Sequence, residues 1–349
     1  MSCSVNASAV SRPDVLMASW DLTQANTLRL PCVAEQYAAP TTLAALQDVL
    51  HQARQQRRPM TLLGGGSNVL LPSQLSGVVI RPSLQQWWLE RRGREVLAYV
   101  GAGVNWHALV MALAARGLWG CENLALIPGD CGAAPVQNIG AYGVELADVL
   151  AAVQVVELAT GEVRWLDAEA CQFGYRDSLF KRELAGKVVI TQLVLRLSET
   201  PNPQLGYGDL AARVSAAPDP LEVARAVCAI RQQKLPDPAV LANAGSFFKN
   251  PLVSSDHAQR LLNDYPGMPH FPQPDGQVKL AAGWLIDQCG LKGHRQGAFG
   301  VHQHQALVLV HFGGGNRAEL LAFADVVADA VAERFGVRLE AEPRVISSR

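Results

Sequence analysis

Two stretches of this 349-residue chain offer bare main chain for chemistry. One is GGGSN, residues 64–68. The other is ALIPGDCGAAPVQNIGAYG, residues 125–143, with four Gly, two Pro and Asp130 as its one charge. Neither GGGSNV nor the nearby GAGVNW carries the final Gly of the dinucleotide fingerprint G-x-G-x-x-G, and no G-x-x-x-x-G-K-[ST] phosphate loop is present. What such segments can supply is a row of main-chain N–H groups. Glycine lets the backbone approach an anion closely, and successive N–H groups form a concave anion site. Ser67 and Asn68 would add side-chain donors, and a tight surface turn is the plain alternative for GGGSN. The long stretch is harder to read as a turn: so little side-chain bulk suits a long, phosphate-bearing ligand laid against backbone.

The elements that must carry these loops alternate in type. Residues 41–57 read as a helix with TLAALQDVL periodicity, and residues 60–63 as a short strand running into GGGSN. Residues 77–81, 96–101, 153–158 and 188–197 have the β-branched content of strands. VNWHALVMALAARG reads as a helix entered near Asn105 and stopped near Gly117. Beyond Leu235 the texture turns rich in Pro, Gly and Asn. There we expect helices from about Ser255 and over KLAAGWLIDQCG, ending at Gly290, and a strand at QALVLVH. Asn316 and Glu319 form a capping-box pattern opening a helix that closes at Gly336. A last strand, VRLEAEPRV, alternates so that Glu340 and Glu342 share a face. Domain breaks are expected near 84 and 235.

Composition narrows the function classes. Charged residues make up 17% of the chain, against a typical figure of about 25%, so much of it should be buried. The net charge is −1 with no Lys/Arg block, which argues against a nucleic-acid or anionic-membrane surface. Seven cysteines are scattered with no C-x-x-C pair, so they read as reduced cytosolic thiols. The first twenty residues lack the basic start and apolar core of a secretory signal. The one uncharged run near membrane-span length, residues 98–115, is broken by Gly, Asn and His, and we expect no membrane insertion. The eight His have no partners at metal-ligand spacing, so no metal is expected.

Eight collinear motifs then make the chain resemble a known family. LGGGSNVLL, ENLALIPGDCGAAPVQNIGAYGVEL, FGYRDSLFK, GYGDL, KLPDP, NAGSFFKNP, VKLAAGWLIDQCGLKG and the terminal LEAEPR occur in one order and spacing. Together they resemble the UDP-N-acetylenolpyruvoylglucosamine reductase family, flavoenzymes of bacterial cell-wall synthesis. The resemblance runs from about Asn26 to Ile346, and GYGDL and KLPDP resemble the form with a substrate-covering tyrosine loop. It implies an α+β fold: a two-part FAD-binding region of the vanillyl-alcohol-oxidase/PCMH type plus an α+β substrate domain. The FAD region would comprise residues 1–84, and residues 85–235 with 336–349; the substrate domain would be residues 236–335.

By the same resemblance, FAD is held non-covalently at Gly64, Gly65, Gly66, Ser67, Asn68, Pro128, Gly129, Gly132, Ala133, Ala134, Gln137, Asn138 and Ile139. Asp130 and Cys131 depart from the small or apolar residues usual there. A carboxylate beside a pyrophosphate is repulsive, so Asp130 is expected to point away. The family reaction delivers hydride to the terminal carbon of a vinyl ether conjugated to a carboxylate. Carbanion character then appears on the adjacent carbon and spreads into the carboxylate as an enolate. Such a site needs a cation, an acid to share the charge and a proton donor. Arg176 in GYRDS matches the cation, a planar fork suited to a carboxylate, with an ion pair to Asp177 as its plain alternative. Ser246 in NAGSFFKNP matches the proton donor, and a turn or N-cap serine is the alternative. Glu342 matches the acid, and a solvent-facing carboxylate pair with Glu340 is the alternative; Pro343 beside it removes a ladder donor. Substrate contacts carry over as Tyr142, Tyr207, Arg231, Lys234, Asn250 and Gln305. NADPH would be a transient reductant using the same cleft as the UDP-sugar, in the cytoplasm. Two other functions are open at this point: an FAD oxidase of the same superfamily, or a non-catalytic nucleotide-sugar binding protein.

Overall fold

A computed structural model describes residues 13–347; the expectation about a secretory leader falls largely, and Cys3 wholly, outside the described residues. Helix α1, Leu43–Gln55, begins where Thr42 accepts a hydrogen bond from the Ala45 amide. Its apolar stripe of Leu46, Val49, Leu50 and Ala53 packs on Ala38, Val78 and Ile80 of one sheet and on Val156 and Val189 of the next. The first of these sheets orders Met17–Asp21, Val33–Ala38, Gln74–Ile80 and Met60–Leu62. Its last three strands run parallel, so α1 is the crossover that carries the chain from Val33–Ala38 to Met60–Leu62 at the sheet's edge, on the far side of Gln74–Ile80. Residues 64–68 leave the end of strand Met60–Leu62.

The second sheet is antiparallel, ordered Val163–Asp167, Leu150–Glu157, Val188–Ser198, Glu95–Gly101 and Trp87–Arg92. Helix α2, Trp106–Ala114, starts at Asn105 as expected, the Asn105 side chain accepting from the Ala108 amide. Helix α3, Pro220–Lys234, was not foreseen, although Asp219 caps it and Pro220 occupies its first position. Both helices pack their apolar faces into the core beneath this sheet.

The C-terminal elements form a third core. A sheet of Ala242–Ser246, Val308–His311, Phe299–Val301 and Arg295–Gln296 lies beside a smaller one of Leu252–Ser254, Gln277–Leu280 and His270–Pro272. They carry α4, Ser255–Asp264, α5, Ala282–Gln288, and α6, Arg317–Phe335. The expected helix over KLAAGWLIDQCG is shorter, because Lys279 and Leu280 belong to the strand before it. Helix α6 has both halves of the expected capping box at Asn316 and Glu319, and Gly336 ends it at φ 66. It buries Leu320, Phe323, Val327, Val331 and Phe335 at helical spacing. Each such side chain contributes about 1.5–3 kcal/mol when fully buried.

The expected last strand is corrected. Only Arg344–Val345 pairs as a strand, parallel to Val69–Leu70, with an isolated bridge between Phe248 and Ala341 before it. The chain changes partner at Pro343: the Glu342 amide donates to Phe247 O at 2.8 Å, and the Arg344 amide to Asn68 O at 3.0 Å. The one residue without an N–H sits where the ladder switches, so the proline breaks no pairing. This switch ties the C-terminus to the residues beside the glycine loop.

Candidate active site

The two bare loops are bare largely because they pack closely on each other and on residues 25 and 102. A Cβ on Gly65 would come to 2.9 Å from Gly129 Cα, and one on Gly66, at φ 68, to 1.9 Å from Ala25 O. A Cβ on Gly132 would meet Ala102 Cβ at 2.6 Å. Ser67 and Asn68 do not keep their side chains for a ligand. Ser67 Oγ donates to Pro128 O at 3.1 Å, and Asn68 Nδ2 donates to Gln137 Oε1. What is left over is main chain. Among the described residues, none of the N–H groups of Gly64, Gly65, Gly66, Ser67 and Asn68 donates a hydrogen bond. Successive N–H groups left open beside a cavity have the chemistry of a concave anion seat.

These residues line one cavity of about 610 Å³, within the roughly 300–1,000 Å³ range of small-molecule sites. Pro128, Ala133, Ala134, Gln137 and Ile139 line it with the glycine loop, and Ile127, Val136, Phe180 and Ile190 supply apolar wall. A row of amide donors beside apolar wall fits FAD, which joins a diphosphate to a flat ring system. Two expected cofactor residues do not line it. Asn138 is 1% exposed and is a brace, donating to Glu145 Oε2 at 2.6 Å and Gly174 O at 3.2 Å. Gly129, at φ 120, supplies the close packing against Ser67. Asp130 is neutralised in place: its carboxylate meets Arg81 Nη2 at 3.0 Å and Nε at 3.3 Å. Burial holds the Cys131 thiol well above its ordinary range.

Arg176, Ser246 and Glu342 reach the same cavity from three distant segments. Arg176 sits at the tip of a tight turn in which Gly174 and Asp177 exchange both main-chain hydrogen bonds, at 3.0 and 3.1 Å. It is left-handed at φ 54, and Asn138 (φ 46) and Tyr142 (φ 50) nearby are as well. Such backbone costs of order 1–3 kcal/mol per residue and gathers at functional sites. The plain alternative for Arg176 does not hold, because Asp177 pairs with Arg182. Arg176 Nε lies 3.2 Å from Glu342 Oε1 without hydrogen-bond geometry, and Nη2 donates to Gly140 O at 3.1 Å. The Glu342 side chain is 14% exposed. Burial pushes its carboxyl above the usual range, against the pull of Arg176, Lys181 and Lys249. Glu340 alone is the solvent-facing carboxylate, 75% exposed and paired with Lys249 at 3.1 Å.

Ser246 ends strand Ala242–Ser246, whose register against Val308–His311 slips between Asn243 and Ser246. The slip is a bulge around Gly245, at φ 71, pinned by Asn243 Oδ1 accepting from the Gly245 amide at 2.8 Å. Bulges re-aim side chains beside active sites. Among the described residues the Ser246 hydroxyl makes no hydrogen bond.

The expected substrate residues divide. Arg231, on α3, lines the main cavity, and its buried Nε has no acceptor. Tyr142 and Tyr207 meet edge to face, centroids 5.6 Å apart, with Tyr207 exposed. Tyr207, Asn250 and Gln305 line a second pocket of about 310 Å³, together with Trp284 and His304. Asn250 Oδ1 also accepts from the Ala282 amide at 3.0 Å, capping α5 from outside. Lys234 ends α3, exposed, and lines neither pocket. Sequence reasoning missed Lys181 and Lys249 in the cavity wall, although both lie within motifs already singled out. The described residues hold no cluster of three or more His, Cys, Asp or Glu able to bind a metal. No helix among them is long and apolar enough to cross a membrane.

Residues 237–346 match the family model for the UDP-N-acetylenolpyruvoylglucosamine reductase C-terminal domain, and residues 34–167 match an FAD binding domain. A UDP-N-acetylenolpyruvoylglucosamine reductase of Chromobacterium violaceum is 47% identical over 335 residues, covering 94% of this chain and 98% of its own. One of Cupriavidus pinatubonensis is 51% identical over 306 residues, covering 87% of this chain and 90% of its own. The crystal structure of UDP-N-acetylenolpyruvylglucosamine reductase from Thermus caldophilus superposes with a TM-score of 0.66 at 25% identity. That match covers 95% of this chain and 98% of the other.

Proposed function

The chain belongs to the UDP-N-acetylenolpyruvoylglucosamine reductase family, FAD-containing oxidoreductases of peptidoglycan precursor synthesis, and from that premise we propose which residues carry the reaction and what reduces it. The substrate is the enolpyruvyl ether of UDP-N-acetylglucosamine, and the product is UDP-N-acetylmuramate. The reductant in this proposal is NADPH, a transient visitor to the cavity that the sugar later enters. Bound FAD supplies hydride carriage between the two. The glycine-loop amides of residues 64–68 would hold its diphosphate.

The chain's own part is electrostatic and acid–base. Arg176 presents a planar fork to the carboxylate of the enolpyruvyl group, where negative charge grows as hydride reaches the terminal carbon. Glu342, whose carboxyl burial keeps protonated to higher pH than usual, shares that charge as an acid. Ser246 gives its hydroxyl proton to the adjacent carbon; a serine is a weak acid, but a carbanion is a far stronger base than its alkoxide. Arg231, with an unpartnered buried Nε, takes an anionic part of the substrate, and Tyr207 covers the sugar nucleotide from its exposed loop. Tyr142, Asn250, Gln305 and the exposed Lys234 complete the substrate contacts in this proposal. The observation that carries this reading is that an open row of amide donors and the Arg176–Glu342 pair share one cavity with Ser246. We place the protein in the cytoplasm: its six described cysteines are all free thiols, as a reducing compartment keeps them.

The test is anaerobic and sequential. NADPH added to the purified yellow protein should bleach the flavin absorbance, and the enolpyruvyl sugar should restore it with formation of UDP-N-acetylmuramate in equal amount. Bleaching that only oxygen reverses would reject the sugar as the acceptor.

A further inference from the structure

Resting on the reading of Arg176 as the carboxylate-binding cation, we propose that Lys181 is its positioning residue, holding the strained turn so that the guanidinium stays aimed into the cavity. The Lys181 ammonium donates to the carbonyl oxygen of Arg176 itself, at 2.9 Å. Arg176 is thereby fixed at both ends: its peptide oxygen by Lys181 and its guanidinium by the Gly140 carbonyl at 3.1 Å. A left-handed arginine persists only where its surroundings over-determine it, and Lys181 is the side chain that binds this peptide.

Lys181 is an odd residue to keep here for stability alone. It is half-buried, lines the cavity and makes no ion pair among the described residues. Its near charges are Arg176, Lys249, Asp177 and Glu342, so three cations face a carboxylate already matched to Arg176. Asp177 is paired with Arg182, and Lys249 with Glu340. An apolar side chain of similar length would avoid that repulsion and the cost of drying an ammonium. What it could not do is hold the Arg176 peptide.

The experiment compares two ligands by calorimetry on the oxidised FAD-loaded enzyme: UDP-N-acetylmuramate, which carries a carboxylate, and UDP-N-acetylglucosamine, which does not. In Lys181→Met the first should weaken by roughly tenfold or more, the scale of one charge-assisted hydrogen bond, while the second stays within about twofold. Lys181→Arg, which keeps the charge and a donor, should recover most of the loss. Arg176→Met should show the same selectivity, more strongly. If Lys181→Met weakens both ligands alike, Lys181 acts on the nucleotide or on folding, and positioning is overturned. If it weakens neither while Arg176→Met is selective, the turn holds without it and the inference fails alone. An unselective Arg176→Met overturns the carboxylate reading beneath it. Retained FAD and an unchanged melting temperature in Lys181→Met separate a local effect from misfolding.

Discussion

Glu342 is the residue whose chemistry depends most on its surroundings. In a solvent-facing strand it would be an ordinary carboxylate; here burial raises its pKa and Arg176, Lys181 and Lys249 restrain the rise. The protonated form therefore survives to higher pH than in an exposed glutamate, and it is lost as pH climbs through the raised value. If Glu342 is the acid that shares the enolate charge, flavin reoxidation by the sugar should fall on that alkaline side. Glu342→Gln should be slower by about 10²–10⁴ and should lack that limb. A limb that persists in Glu342→Gln belongs to another group. The motif match points to Glu342, but the backbone around Pro343 that carries it is set by residues 247 and 68 taking turns as partners, which no local pattern encodes. Arg176 was likewise nameable from GYRDS, but the pairing of Asp177 with Arg182 was not.

Most elements with local grammar are readable in the sequence, α3 with its Asp219 cap and Pro220 being the exception, and those defined by distant partners are not. Asn316, Glu319 and Gly336 bound α6 through contacts within three or four residues of each end, so the helix was legible. VRLEAEPRV alternates like a strand, yet its backbone serves two different partners, and only Arg344–Val345 qualifies. The glycine loop lies between these cases. Its glycines signalled an anion cradle, while the structure adds that they let two loops and residue 25 close on one another. Gly66→Ala would put a Cβ 1.9 Å from Ala25 O, so it should displace the loop and release FAD. Gly93→Ala shares a positive φ, 65, but meets nothing within 4 Å. It should cost only the backbone strain, about 1–2 kcal/mol, with full flavin occupancy. Measuring bound FAD and melting temperature of both separates steric closure from φ preference. Equal flavin content in the two variants would count against the cradle.

At the scale of the whole molecule, the cavity gathers residues 64–68, Pro128, Ala133, Ala134, Gln137 and Ile139 with Arg176, Ser246 and Glu342, from segments far apart in the chain. In the proposed cycle one cavity serves two half-reactions in turn, so some side chains should matter to only one of them. Ser246 is the sharpest case, since hydride transfer from the nicotinamide needs no proton on the sugar carbon. Anaerobic stopped-flow absorbance of Ser246→Ala reads both halves in one sample. Bleaching by NADPH should proceed at near the wild-type rate. Recovery on mixing with the enolpyruvyl sugar should slow by about 10²–10⁴, the usual loss with a positioned general acid. That is roughly 3–5 kcal/mol at 1.36 kcal/mol per tenfold. Recovery at the wild-type rate would mean the proton comes from elsewhere and that Ser246 is only the end of a bulged strand.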